Sequence, residues 1–574
     1  MNNKQLADTF SLIADLMQIK GEVIYKILAY RKAADSLVAY PRSVKDLYEE
    51  GSKLTDIPGV GKAIGDKIAE LLDTGKLEFL EKLQKEVPTS LADMLEIPDL
   101  GPKKVKLFWD ELNITSIEQL KKAAEEGKLR DLAGMGPKSE AKILDGIESL
   151  SRRTGRTPLG VAWPAAQVQL ELIRAVKGVK AAEVAGSLRR MKDTVGDIDI
   201  LVSAVDSAPV MKAFVEQPTV ARVLGEGEIK SSVEFQDGSR AQIWVHPPER
   251  FGTALQYATG SKDHNVRIRE LALKKGLSLS DQALTKEDGT EILASTEEEV
   301  YKKLDLEWVA PEMREDRGEV QAAKDKKLPK LLTTKDIRAE LHTHSTWSDG
   351  KVSIQQMAEE ALKRGYKTLA ITDHSVSLGI GNGLSVERLH EQRQEIDKVR
   401  KKVGDTLLIL HGTEMEIRAD GNLDFDNETL AWLDIVIASL HVSIRQPREQ
   451  VTERMLNALQ NPHVDIIAHP TNRLIPDREG ADLDMDAILQ AAAETDTALE
   501  INANPRRLDL EDIYARRAIE LGIKLVINTD AHRLKHLDFL HYGVATARRA
   551  WAEKKHVINT WTPKQIEKWL KGRG

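Results

Sequence analysis

The stretch that most constrains this chain is Leu341-His-Thr-His-Ser-Thr-Trp-Ser-Asp-Gly350. His342 and His344 stand two apart, directly after an Asp-Ile-Arg-Ala-Glu-Leu run that reads as a strand. Residues two apart on a strand face the same side, so both imidazoles point one way. That is a metal-binding geometry, although a surface pair of histidines would show the same spacing. The two readings separate on whether further ligand side chains recur in register.

They do. Thr368-Leu-Ala-Ile-Thr ends at Asp373-His374, and Leu407-Leu-Ile-Leu-His-Gly-Thr ends at Glu414. Asp434-Ile-Val-Ile-Ala-Ser-Leu ends at His441, and Val464-Asp-Ile-Ile-Ala ends at His469. Ala498-Leu-Glu-Ile-Asn-Ala-Asn carries Glu500 and Asn502, and Lys524-Leu-Val-Ile-Asn-Thr ends at Asp530 and His532. With the His342 strand this makes seven apolar runs alternating with helical stretches, each finishing in a candidate ligand. Such alternation predicts a parallel sheet closed as a barrel, with its active site at the C-terminal ends of the strands.

At 574 residues the chain exceeds one core, and about three or four domains are expected. The net charge of -8 gives no global attraction to nucleic acid, so DNA binding must come from local geometry. The absence of cysteine excludes disulfides, thiolate zinc sites and cysteine nucleophiles, and fits a reducing cytoplasm. The start Met-Asn-Asn-Lys-Gln-Leu-Ala-Asp lacks a signal-peptide core, and no apolar run approaches about 18 residues. A cytoplasmic protein, neither exported nor membrane-spanning, is the expectation.

From Leu6 to about Leu150, apolar residues at three- and four-residue spacing, such as Phe10, Ile13, Leu16 and Met17, predict short amphipathic helices. Ile57-Pro-Gly-Val-Gly61, Ile97-Pro-Asp-Leu-Gly101 and Leu132-Ala-Gly-Met-Gly136 each join a helix to a following lysine-containing helix. Glycines permit the tight turn, and the free amides of the next helix can hold a phosphate. Gly59, Gly61, Gly101, Gly134 and Gly136 are therefore candidate DNA-backbone contacts of helix-hairpin-helix type, independent of base sequence.

Farther on, Asp197 and Asp199 alternate with Ile198 and Ile200, which puts both carboxylates on one face of a strand. Such a pair repels unless cations sit between, and phosphoryl transfer with two Mg²⁺ or Mn²⁺ ions supplies the reason. Gly186-Ser187, with Arg190 downstream, would contact the phosphates.

These segments resemble the bacterial family X DNA polymerases. Tyr25-Lys-Ile-Leu-Ala-Tyr-Arg-Lys-Ala-Ala34 and Leu54 to Leu72 look like the family's small N-terminal domain. The resemblance implies that Lys67 is a Schiff-base lysine of a deoxyribose-phosphate lyase, with Lys26 and Tyr30 lining its pocket. Gly-Ser plus Asp-x-Asp resembles the nucleotidyltransferase palm, and Gly252 to Ser261 resembles the nucleotide-binding segment, with Tyr257 and Gly260 near sugar and base. The C-terminal half resembles the polymerase-and-histidinol-phosphatase (PHP) domain. Position by position, that resemblance implies His342, His344, Asp349, His374, Glu414, His441, His469, Asp530 and His532 as ligands of up to three ions, Mn²⁺ or Zn²⁺.

The implied architecture is multidomain α+β and α/β. It comprises a helical domain at 1–85, a fingers-like helical region with two further hairpins at 86–155, a palm at 156–250 and a thumb at 251–315. A linker at 316–336 leads to a distorted (β/α)7 PHP barrel at 337–574, and a second linker is read at Arg156 to Pro164 from its two prolines and glycine. The implied activity is metal-dependent 3'-5' exonuclease or phosphoesterase action on DNA ends or gaps in repair. Gapped or primer-template DNA and deoxynucleoside triphosphates are the expected partners, and a monomer is expected. One departure stands out: the family's third palm carboxylate position holds Gln242, and Trp244 replaces a basic residue. A neutral amide cannot hold a cation as a carboxylate does, so impaired nucleotide addition is expected.

Overall fold

The first 155 residues fold as helices on one apolar core, because their apolar positions recur once per turn. Leu6, Phe10, Ile13 and Leu16 of the helix Asn3–Lys20 pack with Leu37, Ile68, Phe108, Leu120 and Ile143. The structure is a computed structural model. It describes every residue except 2, 41, 98, 99, 153, 154, 573 and 574, with backbone only at 96, 145, 148–152 and 380. Residues 1–155 and 156–574 form two compact units.

In the first glycine hairpin Gly59 has φ +81°, and a Cβ there would lie 2.9 Å from Lys32 Cγ, so the turn needs glycine. Gly61 and Gly101 precede the helices Lys62–Thr74 and Pro102–Leu112, and no side chain caps either one. The Lys62, Ala63 and Lys103 amides are thus left for a ligand or water, while those of Ile64 and Lys104 donate to the Gly61 and Gly101 carbonyls. Gly134 has φ +74° in the third turn, and Gly136 leads into the helix Pro137–Arg152. Pro98 and Asp99 of the second hairpin lie outside the described residues.

Arg156 to Pro164, read as a linker, folds as the short strand β1 (Thr157–Pro158) and the start of the helix Leu159–Arg174, which carries Pro164 inside it. Burial of Leu159, Ala162 and Ala166 in the palm core outweighs the one helical hydrogen bond a proline removes. β1 pairs with β3 (Thr194–Val195).

The palm sheet has the order β2-β4-β7-β6-β5, built from β2 (Val179–Val184), β4 (Ile198–Ala204), β5 (Val220–Glu226), β6 (Lys230–Phe235) and β7 (Arg240–His246). β4 and β7 run parallel with Asp199 opposite Gln242. A small sheet of β8 (Leu277–Leu279), β9 (Leu284–Lys286) and β10 (Glu291–Ile292) follows, packed with the helices Lys262–Lys274 and Glu297–Lys303.

Residues 316–336, expected as a linker, are folded. The helix Glu319–Lys324 buries Val320 and Ala323 in this thumb core, and buried Glu319 accepts the Asp316 and Arg317 amides. The charge run hid this, because its apolar positions are few.

Seven parallel strands then follow in sequential order: β11 (Ala339–Glu340), β12 (Thr368–Ile371), β13 (Leu408–Glu416), β14 (Ile435–Ser439), β15 (Ile466–Ile467), β16 (Ala498–Asn502) and β17 (Leu525–Asn528). A parallel bridge between Thr343 and Ala531 joins the first strand's end to the last, so the barrel nearly closes. Ile475, Leu508 and Tyr542 of this half enter the palm's core cluster. Arg473 pairs with Asp193 at 3.2 Å, and Arg549 donates to the Arg190 carbonyl at 2.9 Å. Palm, thumb and barrel are therefore packed as one unit, and the folded strap at 316–336 belongs to it.

Candidate metal centre

Each barrel strand is short and apolar, so its polar residues gather where it ends. Glu414, in the middle of this gathering, is 1% exposed, and both its oxygens face imidazoles. Its Oε2 lies 3.4 Å from His342 Nε2, 3.4 Å from His344 Nε2 and 2.9 Å from His374 Nδ1. Its Oε1 lies 3.3 Å from His441 Nε2 and 2.8 Å from His469 Nε2. Asp530 Oδ1 is 3.1 Å from His344 Nε2, and Asp349 Oδ1 is 3.2 Å from His532 Nε2. The structure thus brings together all nine side chains, from six of the seven strand ends.

The remaining strand, β16, supplies an orienting group. Glu500 accepts from His342 Nδ1 at 2.8 Å, the His469 amide at 2.9 Å and Asn528 Nδ2 at 3.0 Å, which aims Nε2 of His342 into the centre. Glu416 does the same for His441 Nδ1 at 2.8 Å. Asp373 is buried away from the imidazoles, where it accepts from the Ser345 amide and hydroxyl at 2.7 and 2.6 Å and fixes the His344 loop.

Burial raises the cost of charge on Glu414, but the surrounding imidazoles, His441 and His374 foremost, hold its carboxyl well below the usual range. Asp530 is likewise held low against burial, chiefly by His342. Burial opposes the charge on His441, yet Glu414 and Glu416 push it up to about 9. His344 moves the other way, lowered by burial and by His532 and His374.

The donor set fits divalent cations on an observation of its own. His342 Nε2, both nitrogens of His344, His374 Nδ1, His469 Nδ1 and Asp530 Oδ1 are buried with no hydrogen bond. Buried polar atoms without partners are costly, and a cation satisfies them without a proton. Among the described residues, three groups have ligand atoms within 4.8 Å of one another: His344, Asp349, His374 and His532; His342, His344 and Asp530; His374, Glu414 and His441. Mixed imidazole and carboxylate ligation suits Mn²⁺ or Zn²⁺.

The palm is built around a close approach. Gly186 has φ +59°, and a Cβ there would lie 2.1 Å from Asp199 Oδ2. Burial, then the neighbouring Asp197, pushes the Asp199 carboxyl up to about 7 against the opposing charges of Lys230 and Arg190. Asp197 Oδ1 is buried without a hydrogen bond, while its Oδ2 accepts from Gln242 Nε2 at 3.2 Å. Ser187 is half-buried in the turn after Gly186, and Tyr257 is 39% exposed on the helix that ends at Gly260. Arg190, a candidate phosphate contact, has protein partners in this structure. Its guanidinium donates to the Thr259 carbonyl at 2.6 Å and to Glu315 at 3.1 Å, which ties palm to thumb.

Family models match a helix-hairpin-helix domain at residues 1–77, a SAM-like helix-hairpin-helix tandem at 91–149, a DNA polymerase beta thumb at 254–315 and a PHP domain at 340–504. Over all 574 residues the chain is 40% identical to the "DNA polymerase/3'-5' exonuclease PolX" of Bacillus subtilis, covering 100% of both. The chain belongs to the PolX family. Two partial likenesses divide it. A probable phosphatase of Thermoanaerobacter sp. (strain X514) is 32% identical over 242 residues, 40% of this chain and 93% of that protein. DNA polymerase lambda of Rattus norvegicus is 26% identical over 344 residues, 54% of this chain and 56% of that one.

Within this PolX chain, sequence reasoning missed Glu416, and also Glu340, which accepts from the Thr529 hydroxyl at 2.8 Å. Glu416 stands two residues after Glu414 on β13 and Glu340, at the end of β11, two before His342, and that spacing is the signal that could have found them. In the first unit, Lys67 Nζ donates to the Ala63 carbonyl at 3.2 Å and lies 5.1 Å from the Phe79 ring centroid. Tyr30 stacks on that ring at 5.8 Å, whereas Lys26 is exposed and pairs with Glu22 at 3.5 Å.

Proposed function

We propose that this PolX chain is a cytoplasmic DNA-repair protein whose working catalytic centre is the PHP barrel, acting as a 3'-5' exonuclease or phosphoesterase on DNA ends and gaps. The observation that carries it is Glu414, with five imidazoles within 3.4 Å of its oxygens and buried nitrogens around it that lack any hydrogen bond. Divalent cations held by the nine ligands would supply Lewis acidity and positive charge to a phosphodiester. The chain's own residues fix the rest. Glu500 and Glu416 hold His342 and His441 in one orientation each, Asp373 pins the His344 loop, and the apolar strands exclude water from below.

In the palm, Asp197 and Asp199 with Gly186, Ser187, Tyr257 and Gly260 would hold a Mg²⁺ or Mn²⁺ nucleotide. Gln242 meets Asp197 as a hydrogen-bond donor and offers no third carboxylate. Losing such a ligand costs several kcal/mol of transition-state stabilisation, with about 1.4 kcal/mol for each tenfold in rate. Nucleotide addition is therefore impaired while DNA binding through the glycine hairpins is kept. Lys67 is a separate candidate, for Schiff-base chemistry on an abasic sugar, and is tested by borohydride trapping against Lys67→Ala.

The central test incubates the protein with Mn²⁺ and a labelled one-nucleotide-gapped DNA, with and without deoxynucleotides. Shortening of the primer in both arms, abolished by His342→Ala, is expected. Lengthening with deoxynucleotides would instead favour an active gap-filling polymerase, and no change in either arm a gap-binding module.

A further inference from the structure

Beside the metal ligands, on the side of His469 and Asp530, two guanidiniums share one neutral acceptor, and only one of them has a carboxylate partner. Arg507 Nη1 donates to Asn472 Oδ1, and its Nε lies 3.8 Å from Asp530 Oδ2, beyond hydrogen-bonding distance. Arg478 Nη2 donates to the same Asn472 Oδ1 at 3.0 Å and to the Asn472 carbonyl at 2.8 Å. Two guanidiniums thus converge on one neutral amide oxygen, three residues after a metal ligand.

Arg478 has a further unsatisfied donor, since its Nε is buried and makes no hydrogen bond. Among the described residues neither Arg478 nor the exposed Arg445 has a carboxylate within ion-pair distance. Burial, then Arg507 and Arg445, push the Arg478 guanidinium below its usual value. Like charges gathered around a neutral acceptor repel, and a buried donor without an acceptor is costly, so Arg478 is left with the capacity to take an anion from outside. A planar fork of donors matches the oxygens of a phosphate.

We propose that Arg478, with Arg507 and Arg445, binds a backbone phosphate of a nucleic-acid strand adjoining the one held at the metal ligands. The barrel then engages a second phosphate of the strand besides the one at the metal ligands. Arg507 stands against ligand Asp530, while Arg478 stands one amide farther out, which grades the two along a strand leaving the centre. This rests on the phosphoesterase reading above and adds a phosphate-binding subsite to it.

The test compares a labelled oligonucleotide with bis(p-nitrophenyl) phosphate, a diester with a single phosphate, using the full-length protein with Mn²⁺. Arg478→Ala is expected to raise KM for the oligonucleotide about tenfold. Its kcat/KM should fall at least fivefold more on the oligonucleotide than on the small diester, with a shallower salt dependence. Arg478→Lys should recover part of the loss, and Arg445→Ala, at an exposed position, should show the same trend if Arg478→Ala does not fold. Equal losses on both substrates, or an unchanged oligonucleotide KM, overturn the proposal.

A binding measurement separates it from the activity on which it rests. Metal-free protein in EDTA is titrated with 5'-phosphorylated dithymidine by calorimetry. Weaker binding by Arg478→Ala supports the subsite even if the wild-type protein cleaves no DNA. Identical binding by the two proteins removes it even if the exonuclease is active.

Discussion

Gln242 Nε2 donates a 3.2 Å hydrogen bond to Asp197 Oδ2, from a strand position directly opposite Asp199. The amide donates to Asp197 where a third carboxylate would repel it, and it leaves the palm with two. Gln242→Asp is therefore expected to raise templated extension of a gapped primer in Mg²⁺ by at least about tenfold, or about 1.4 kcal/mol in barrier. Gln242→Glu gives an independent readout. It sets a charge against Asp197, so Tm should fall in EDTA and recover with Mg²⁺ or Mn²⁺. Unchanged extension by Gln242→Asp would mean that the amide does not limit nucleotide addition.

Glu500 lies outside the nine candidate ligands, yet four donors depend on it: His342 Nδ1, the His469 amide, Asn528 Nδ2 and Asn502 Nδ2. Removing such a partner typically lowers metal affinity by about 10–100-fold. Glu500→Ala should therefore bind Mn²⁺ or Zn²⁺ more weakly by calorimetry and retain fewer ions after dialysis. Glu500→Gln, which keeps an acceptor oxygen, should fall between. Wild-type metal content in Glu500→Ala would mean that the ligands hold their orientation unaided.

Much of the barrel was legible because its signal is local: an apolar strand long enough to cross a sheet, then a ligand, repeated. His374, Glu414, His441 and His469 each sit where a run ends, and geometry then brings them to one point. The palm pair was legible for the same reason, through the alternation of Asp197 and Asp199 with buried isoleucines. Contacts between distant segments were not. Arg473 meets Asp193 across 280 positions, and Arg190 is claimed by Glu315, so neither pairing leaves a periodic trace. Pro164 and the charge run at 316–336 read as linkers because breaker and charge signals are local, whereas the core that buries Leu159 and Val320 is not.

Gly186 is where backbone and carboxylate come closest in the palm. A methyl group there would stand 2.1 Å from Asp199 Oδ2, at φ +59°. Both the clash and the conformation oppose any side chain, at roughly 1–3 kcal/mol for the backbone alone. Gly186→Ala should lower the unfolding free energy by about that amount in a denaturant titration and abolish deoxynucleotide binding. Because the barrel lies on other strands, its Mn²⁺ content should be that of the wild type.

Acid should loosen the junction between palm and thumb first. Glu297 is 4% exposed, and Arg189 and Arg314 donate to it at 2.8 and 2.6 Å. Burial raises its carboxyl, but those guanidiniums outweigh it and bring it down to about 2 from an ordinary 4.5. Glu315, between Arg549 at 3.0 Å and Arg190 at 3.1 Å, is likewise brought down to about 2 against burial. A carboxylate with a depressed folded-state pKa contributes stability that is fully present above its unfolded pKa and is lost as pH falls through the folded value. Each contributes on the order of 3 kcal/mol at neutral pH, declining between about pH 4.5 and 2. Unfolding free energy should therefore drop steeply across that window, and Glu297→Gln, less stable at pH 7, should show a shallower slope within it. Parallel pH profiles for the two proteins would mean that Glu297 binds its proton equally in the folded and unfolded chain.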